Sequence, residues 1–332
     1  MSEYIYYPGC SLEHSAKSYH SSLTFVCEKL GIELKEVNDW NCCGATEYMG
    51  LDLAPAYSLI SRNLALAAEQ ANGTNTVVAP CSACYVNLAK ADYYMRERPK
   101  LGAQVNEALQ AGGLSYEPGS LDVRHLLDVL IYDIGLDTIK SKVVKPLTGL
   151  RVAPYLGCMV PRPDYEKRWS DHEKPVELDL LLEILGAEVV DFPLKTQCCG
   201  GHMPHIGPET AYELLHRLLS SADEHDTDIM ATLCPMCQMN VDAYQDETNR
   251  HFGTNHKVPI IFFTQLIGLA FGGKPEDLGF GSELVSAKKA IAKIGTAVPG
   301  MRQNPRGRKK NPGLPVPERL PTGIKINDEE VI

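Results

Sequence analysis

The sequence predicts an α/β protein built from two pseudo-symmetric halves, each a parallel sheet flanked by helices, followed by an extended C-terminal tail. Three observations predict it. Eleven cysteines sort into two sets of five with one left over, in the same order and at nearly the same spacing. Short β-prone runs alternate with helical runs in both halves, the pattern of parallel sheets covered by helices. Every cysteine of the two sets lies just past the end of one of those β-prone runs.

The elements follow in order. "EYIYYPG" at 3–9 is a short aromatic strand that leads into Cys10. A helix runs from there to about residue 30, where Gly31 can cap it. "IELKEV" at 32–37 is the second strand and ends shortly before Cys42 and Cys43. "LAPAYSLISRNLALAAEQANG" is an alanine- and leucine-rich helix that ends in glycine. "NTVVAP" at 75–80 is the third strand and runs straight into Cys81, with a helix following through "YYMRER". A further helix is read around "VRHLLDVLIYDIG", between the loops "LSYEPGS" and "DTIKSKVVKPLTG".

The order then repeats. "RVAPYLG" at 151–157 precedes Cys158, "AEVVDFP" at 187–193 precedes Cys198 and Cys199, and "DIMATL" at 228–233 precedes Cys234. Each half closes on a C-x-x-C pair, Cys81 with Cys84 and Cys234 with Cys237. The flanks repeat too. "YPGC" at 7–10 answers "YLGC" at 155–158, glycine follows both Cys-Cys pairs at Gly44 and Gly200, and Asn87 and Asn240 each sit three residues beyond the last cysteine. This is an internal duplication. It divides the chain into domains at 1–146 and 147–294. A tail over 295–332 is rich in proline, glycine and basic residues and has no core of its own.

Composition narrows the function. A net charge of −10 argues against nucleic acid as a partner, since phosphate binding wants a basic face. "MSEYIYYPGC" lacks the basic start and apolar core of a secretory signal. The longest apolar run, "VPIIFFTQLIGLAFGG" at 258–273, is shorter than the roughly 20 residues a bilayer span needs. It reads as a buried strand or helix. The expectation is a cytoplasmic protein with no membrane span. Thiols stay reduced there, so clustered cysteines point to metal or redox chemistry rather than to structural disulfides.

In an open parallel sheet the carboxyl ends of the strands share one edge, and ligands bind there. Five thiols therefore converge in each half. Thiolate is a soft ligand that selects zinc, copper(I) or iron–sulfur clusters. Zinc closes a tetrahedron of four, often through two C-x-x-C pairs, and each half has only one such pair. Neighbouring cysteines suit a larger core on which they bind different irons, and a following glycine lets the backbone approach it. The usual C-x-x-C-x-x-C run of a cubane cluster is absent. Spacing thus favours an unusual iron–sulfur core and leaves zinc as the alternative.

The strings C-x31-CCG-x36-CxxC and C-x39-CCG-x33-CxxC, over roughly residues 3–270, strongly resemble the tandem CCG cysteine-rich domains of the heterodisulfide reductase B subunit family. The resemblance implies two noncubane [4Fe-4S] clusters, each held by five cysteines. Cys10, Cys42, Cys43, Cys81 and Cys84 would hold one, and Cys158, Cys198, Cys199, Cys234 and Cys237 the other. It implies that the clusters face each other and that a disulfide such as CoM-S-S-CoB is cleaved between them. It also implies partners: a ferredoxin-like iron–sulfur C subunit, with a flavin-bearing A subunit upstream. Two other readings stay open. One is an electron-transfer subunit of a related dehydrogenase, the other a structural zinc module that mediates assembly.

Other residues carry weaker expectations. Leu23, Val26, Cys27 and Leu30 form a helical stripe, which makes the eleventh cysteine a core residue. His202 and His205 follow the second Cys-Cys pair and can donate a proton to a product thiolate, or be structural. The first repeat has Thr46 and Tyr48 in that neighbourhood. Arg162, four residues past Cys158, can attract an anionic substrate group or sit on the surface. Asn87 and Asn240 bond cluster sulfur or cap local backbone.

Overall fold

The structure is a computed structural model and describes residues 2–45, 50, 52–163, 165 and 168–296. The described residues fall in one compact unit that contains both repeats. The first sheet is built from β1 (Ser2–Tyr6), β2 (Ile32–Glu36), β3 (Thr76–Ala79) and β4 (Asp122–His125). The second is built from β5 (Arg151–Tyr155), β6 (Glu188–Val189), β7 (Ile229–Thr232) and β8 (Ile260–Phe262). All pairings are parallel, in the orders β2-β1-β3-β4 and β6-β5-β7-β8. The duplication read from the cysteines is therefore a duplication of topology.

The central strands are apolar on both faces, because helices cover both. Val77, Val78 and Ala79 of β3 are buried, as are all four residues of β7. Helix Lys17–Leu30 ends at Gly31, whose left-handed backbone (φ 69°) lets its amide reach back to the carbonyls of Cys27 and Glu28. Helix Leu53–Glu69 starts on Asp52, whose carboxylate accepts the amide of Ala54.

Each sheet has a fourth strand beyond the three read from sequence. Residues 123–125, expected in a helix, belong to β4, where Val123 pairs with Val77 and His125 with Ala79. The helix begins only at Leu126 and passes into a π-helical turn, Leu130–Gly135. The apolar run 258–273 holds strand and helix in succession, β8 and then helix Phe263–Ala270. Of the tail assigned to 295–332, all beyond Thr296 lies outside the described residues.

The two sheets meet along a seam of helices. Helix Lys17–Leu30 packs on helix Phe263–Ala270, with Tyr19 stacked on Phe262 at 4.3 Å and Ser22 Oγ 2.7 Å from Thr264 Oγ1. Elsewhere along the seam the Tyr132 hydroxyl donates to Glu177 at 2.9 Å, and Arg168 pairs with Asp122.

Candidate metal centre

In each sheet the winding direction reverses next to the first strand, between β1 and β3 and between β5 and β7. That reversal opens a crevice at the carboxyl edge. Cys10 follows β1 there, and Cys81 and Cys84 follow β3. Cys158 stands after β5, and Cys234 and Cys237 after β7, in the same way. The Cys-Cys pairs come in from the edge strands β2 and β6.

Each C-x-x-C opens a helix. Cys81 caps helix Ser82–Glu97 and Cys234 caps helix Pro235–Ala243, both with extended backbone. Cys84 and Cys237 sit one turn in, so both sulfurs of a pair face the positive end of the helix. The loop carrying each Cys-Cys pair is held on both sides. Tyr7 donates from its hydroxyl to the carbonyl of Asn41 at 2.6 Å, and Tyr155 to that of Gln197 at 2.9 Å, the residue before the pair in each half. Asn87 donates to the carbonyls of Cys43 (3.1 Å) and Ala45. Asn240 donates to those of Cys199 (3.4 Å) and Gly201 (2.6 Å) and lies 3.6 Å from the Cys199 sulfur. The repeated tyrosine and asparagine are thus braces for the cysteine loop.

Glycine works at two points of each site. Gly44 and Gly200 have positive φ (76° and 93°) and turn their amides onto the sulfurs of Cys42 and Cys198, at 3.4 and 3.3 Å. Gly9 and Gly157 lie against the second sulfur of each C-x-x-C. A β-carbon on Gly9 would stand 2.6 Å from Cys84 Sγ, and one on Gly157 2.9 Å from Cys237 Sγ. Sequence reasoning saw the repeated "GC" but not this reason for it.

The sulfurs gather. Cys10 and Cys42 are 3.7 Å apart, and Cys43 and Cys84 3.4 Å. In each half three are buried (Cys43, Cys81, Cys84; Cys199, Cys234, Cys237), while Cys10, Cys42, Cys158 and Cys198 face outward. All eleven cysteines are free thiols. Where thiols touch, one becomes a thiolate that the others' S–H groups stabilise. Interaction with the sulfurs of Cys42 and Cys84 pulls Cys43 down to about 3, and that with Cys158 and Cys199 pulls Cys198 down to about 2. The donors Cys42 and Cys158 are pushed up, and Cys199 rises to about 12, each first by its bond to the neighbouring thiolate. Across the seam Cys81 and Cys234 perturb one another, the first thiol raised and the second lowered. The two sulfur sets are therefore neighbours.

Such sites suit a core of several soft metal atoms. Neighbouring sulfurs are already near van der Waals contact, thiolate is available, and the backbone beside them carries glycine. Among the described residues, no three His, Cys, Asp or Glu side chains converge tightly enough to hold one ion.

A cavity of about 440 Å³ opens over the second set. Its floor is Cys158, Cys198, Cys199, Cys234 and Cys237, and His202 lines it. Ser82 of the first half also lines it, which sequence reasoning missed. His205 is exposed and not among the lining residues. Arg162 does not line it either. Its guanidinium donates to Glu173 at 2.8 Å and to the carbonyl of Thr196 at 2.7 Å, bracing the loop after Cys158. Cys27 is buried in the core, where burial pushes its thiol up to about 12. Thr46 and Tyr48 lie outside the described residues.

Among the described residues no helix is long and apolar enough to cross a membrane. The CCG family, described as "Cysteine-rich domain", matches twice, at residues 4–89 and 152–242. The chain is 33% identical over 287 residues to the "8-methylmenaquinol:fumarate reductase membrane anchor subunit" of Wolinella succinogenes, covering 86% of this chain and 98% of the relative. It is 30% identical over 297 residues to the B subunit of the ferredoxin/F(420)H(2)-dependent CoB-CoM heterodisulfide reductase of Methanosarcina acetivorans, covering 89% and 97%. A hypothetical protein from Helicobacter pylori shares the fold, with a TM-score of 0.66 at 15% identity over 86% of this chain and 52% of that one. The chain belongs to the CCG cysteine-rich domain family, in the tandem form shared with the heterodisulfide reductase B subunits.

Proposed function

We propose that this chain is the catalytic iron–sulfur subunit of a heterodisulfide reductase-like complex, reducing a small disulfide between two noncubane [4Fe-4S] clusters. Cys10, Cys42, Cys43, Cys81 and Cys84 would hold one, in a domain spanning 1–146. Cys158, Cys198, Cys199, Cys234 and Cys237 would hold the other, in a domain spanning 147–294. The observation that carries the reading is a five-thiol set repeated at equivalent strand ends, with Cys81 of one set near enough to Cys234 of the other for each to shift its thiol. When bound, the clusters supply electrons singly and iron that accepts a departing sulfur.

The chain's own residues do the rest. Tyr7, Tyr155, Asn87 and Asn240 fix the cysteine loops, and the apolar walls exclude water. Cleavage of R–S–S–R′ takes two electrons and two protons and yields RSH and R′SH. His202, which lines the second pocket, would supply one of those protons. Arg162 acts only by holding the loop after Cys158. The electrons come from a partner, because the sequence holds neither a dinucleotide fingerprint nor a ferredoxin-type cysteine run. We assign that role to a ferredoxin-like C subunit fed by a flavin-bearing A subunit, in the cytoplasm.

A second reading is favoured by the relative named as a membrane anchor subunit of a quinol:fumarate reductase. In it the same sites pass electrons onward without cleaving a disulfide. A single-turnover experiment separates the two. Protein reduced by a low-potential donor is mixed with a small dialkyl disulfide, and thiols are counted. Release of two thiols per chain supports the reductase. Reduction of a menaquinone analogue by the reduced protein, with no thiol released from the disulfide, supports electron transfer instead.

A further inference from the structure

His125 is a buried titratable group that the proposed reaction does not use. It closes β4, where it pairs with Ala79, and from Ala79 the chain runs through Pro80 into Cys81. Its side chain is fully buried, and burial holds the ring neutral near pH 7, with a single ring proton. Nδ1 accepts the amide of Leu127 at 3.1 Å, which leaves that proton on Nε2. Nε2 is therefore a donor. It is closed off from water and, among the described residues, forms no hydrogen bond. Tyr85 meets the ring nearly at right angles, with centroids 5.8 Å apart. The Pro80 carbonyl is near the ring but already accepts the Tyr19 hydroxyl at 3.0 Å. A buried donor without an acceptor is costly to folding, so it calls for one that belongs to the loaded protein.

The ring stands where the two cysteine sets come together. Cys81 is next to Pro80, and the Cys234 thiolate of the other half is near enough to favour the protonated ring against burial. The duplication makes the position asymmetric. The topological counterpart of His125 is Phe262, which closes β8 opposite Thr232 and likewise stands at the cap of the next helix. Phenylalanine has no donor to give. Capping does not account for the histidine either, since an asparagine or aspartate oxygen caps as well and leaves no second nitrogen over.

We propose that the Nε2–H of His125 donates a hydrogen bond to a sulfur of the iron–sulfur group held at Cys234, and that it thereby raises the reduction potential of that group. A donor on a cluster sulfur stabilises the reduced, more negative form. A neutral ring does so without burying a charge. The two sites carry the same set of thiols, so a donor on one of them separates their potentials. The second site, beneath the open cavity, then holds the electron in preference to the first. The inference rests on the iron–sulfur reading above.

The test is a potentiometric titration of the anaerobically purified, iron-loaded chain, followed by EPR, with His125→Asn and His125→Gln beside wild type. Asparagine keeps an acceptor for the Leu127 amide and lacks the distal N–H, while glutamine carries an N–H out to the place of Nε2. The signal of the second site is the one that survives when Cys43→Ser and Cys84→Ser remove the first. At the potential that half-reduces this site in wild type, His125→Asn should lower its reduced-to-oxidised ratio about tenfold with iron and sulfide unchanged. His125→Gln should bring the ratio back toward wild type. A His125→Asn chain with an unchanged ratio, or with only the first site moved, overturns the inference and leaves the iron–sulfur reading intact. Should His125→Asn lose iron, pulsed EPR on a His202→Ala chain with isotopically labelled histidine decides instead. A histidine nitrogen coupled to the reduced second site supports the inference, and its absence overturns it. A wild-type chain without iron and sulfide overturns both readings.

Discussion

The contact between Gly9 and Cys84, and its repeat between Gly157 and Cys237, sets the finest constraint on the sites. A methyl group at either position collides with a sulfur whose place is fixed by a helix N-terminus. Gly9→Ala and Gly157→Ala should each empty one site, lowering iron per chain by about half, as measured by iron and sulfide assay on folded protein. Cys27 supplies the contrast. It lies among Leu23, Val26 and Tyr19 in the core, and its thiol is raised by burial. Cys27→Ala should leave iron content unchanged and cost about 1 kcal/mol in a chemical-denaturation curve. The ten paired cysteines were legible in the sequence because duplication printed them twice. Ser82 was not legible as a lining residue, because which half's cavity it borders is a tertiary fact.

Elements show where local pattern stops being enough. The strands flanking Cys10, Cys81, Cys158 and Cys234 were readable from β-branched and aromatic runs bounded by glycine and cysteine. β4 was not, because Asp122–His125 runs into helix Leu126–Val129 without a turn, and its pairing with β3 is non-local. His125 sits at that junction and caps the helix, its Nδ1 accepting the amide of Leu127 at 3.1 Å. Burial lowers its pKa from 6.5 to about 4. The unfolded chain therefore binds the proton first, so stability is full above about pH 6.5 and falls as pH drops toward 4. Protonation also removes the acceptor on which the cap depends. The loss is on the order of 3 kcal/mol. His125→Asn keeps a capping oxygen without the titration, so its unfolding free energy between pH 7 and pH 4.5 should fall less steeply than that of wild type.

At the scale of the whole molecule, the two halves act as one body. Tyr19 is fully buried, stacks on Phe262 from the other half, and donates from its hydroxyl to the carbonyl of Pro80, next to Cys81. It therefore ties the seam to the first site. Tyr19→Ala should cost about 3 kcal/mol or more and lower a single shared transition. Far-UV circular dichroism and iron release would then move together to lower temperature. Separate transitions for the two sheets would show that the seam does not couple them. The same seam brings Cys81 and Cys234 near one another, so the duplicated sites are neighbours rather than remote. The proposal as a whole stands on both sulfur sets holding iron and inorganic sulfide. The most direct measurement is iron, zinc and acid-labile sulfide per chain on anaerobically purified protein, beside a Cys84→Ser, Cys43→Ser variant. The account predicts about eight irons and eight sulfides in wild type and about half of each in the variant. Zinc without sulfide would contradict it.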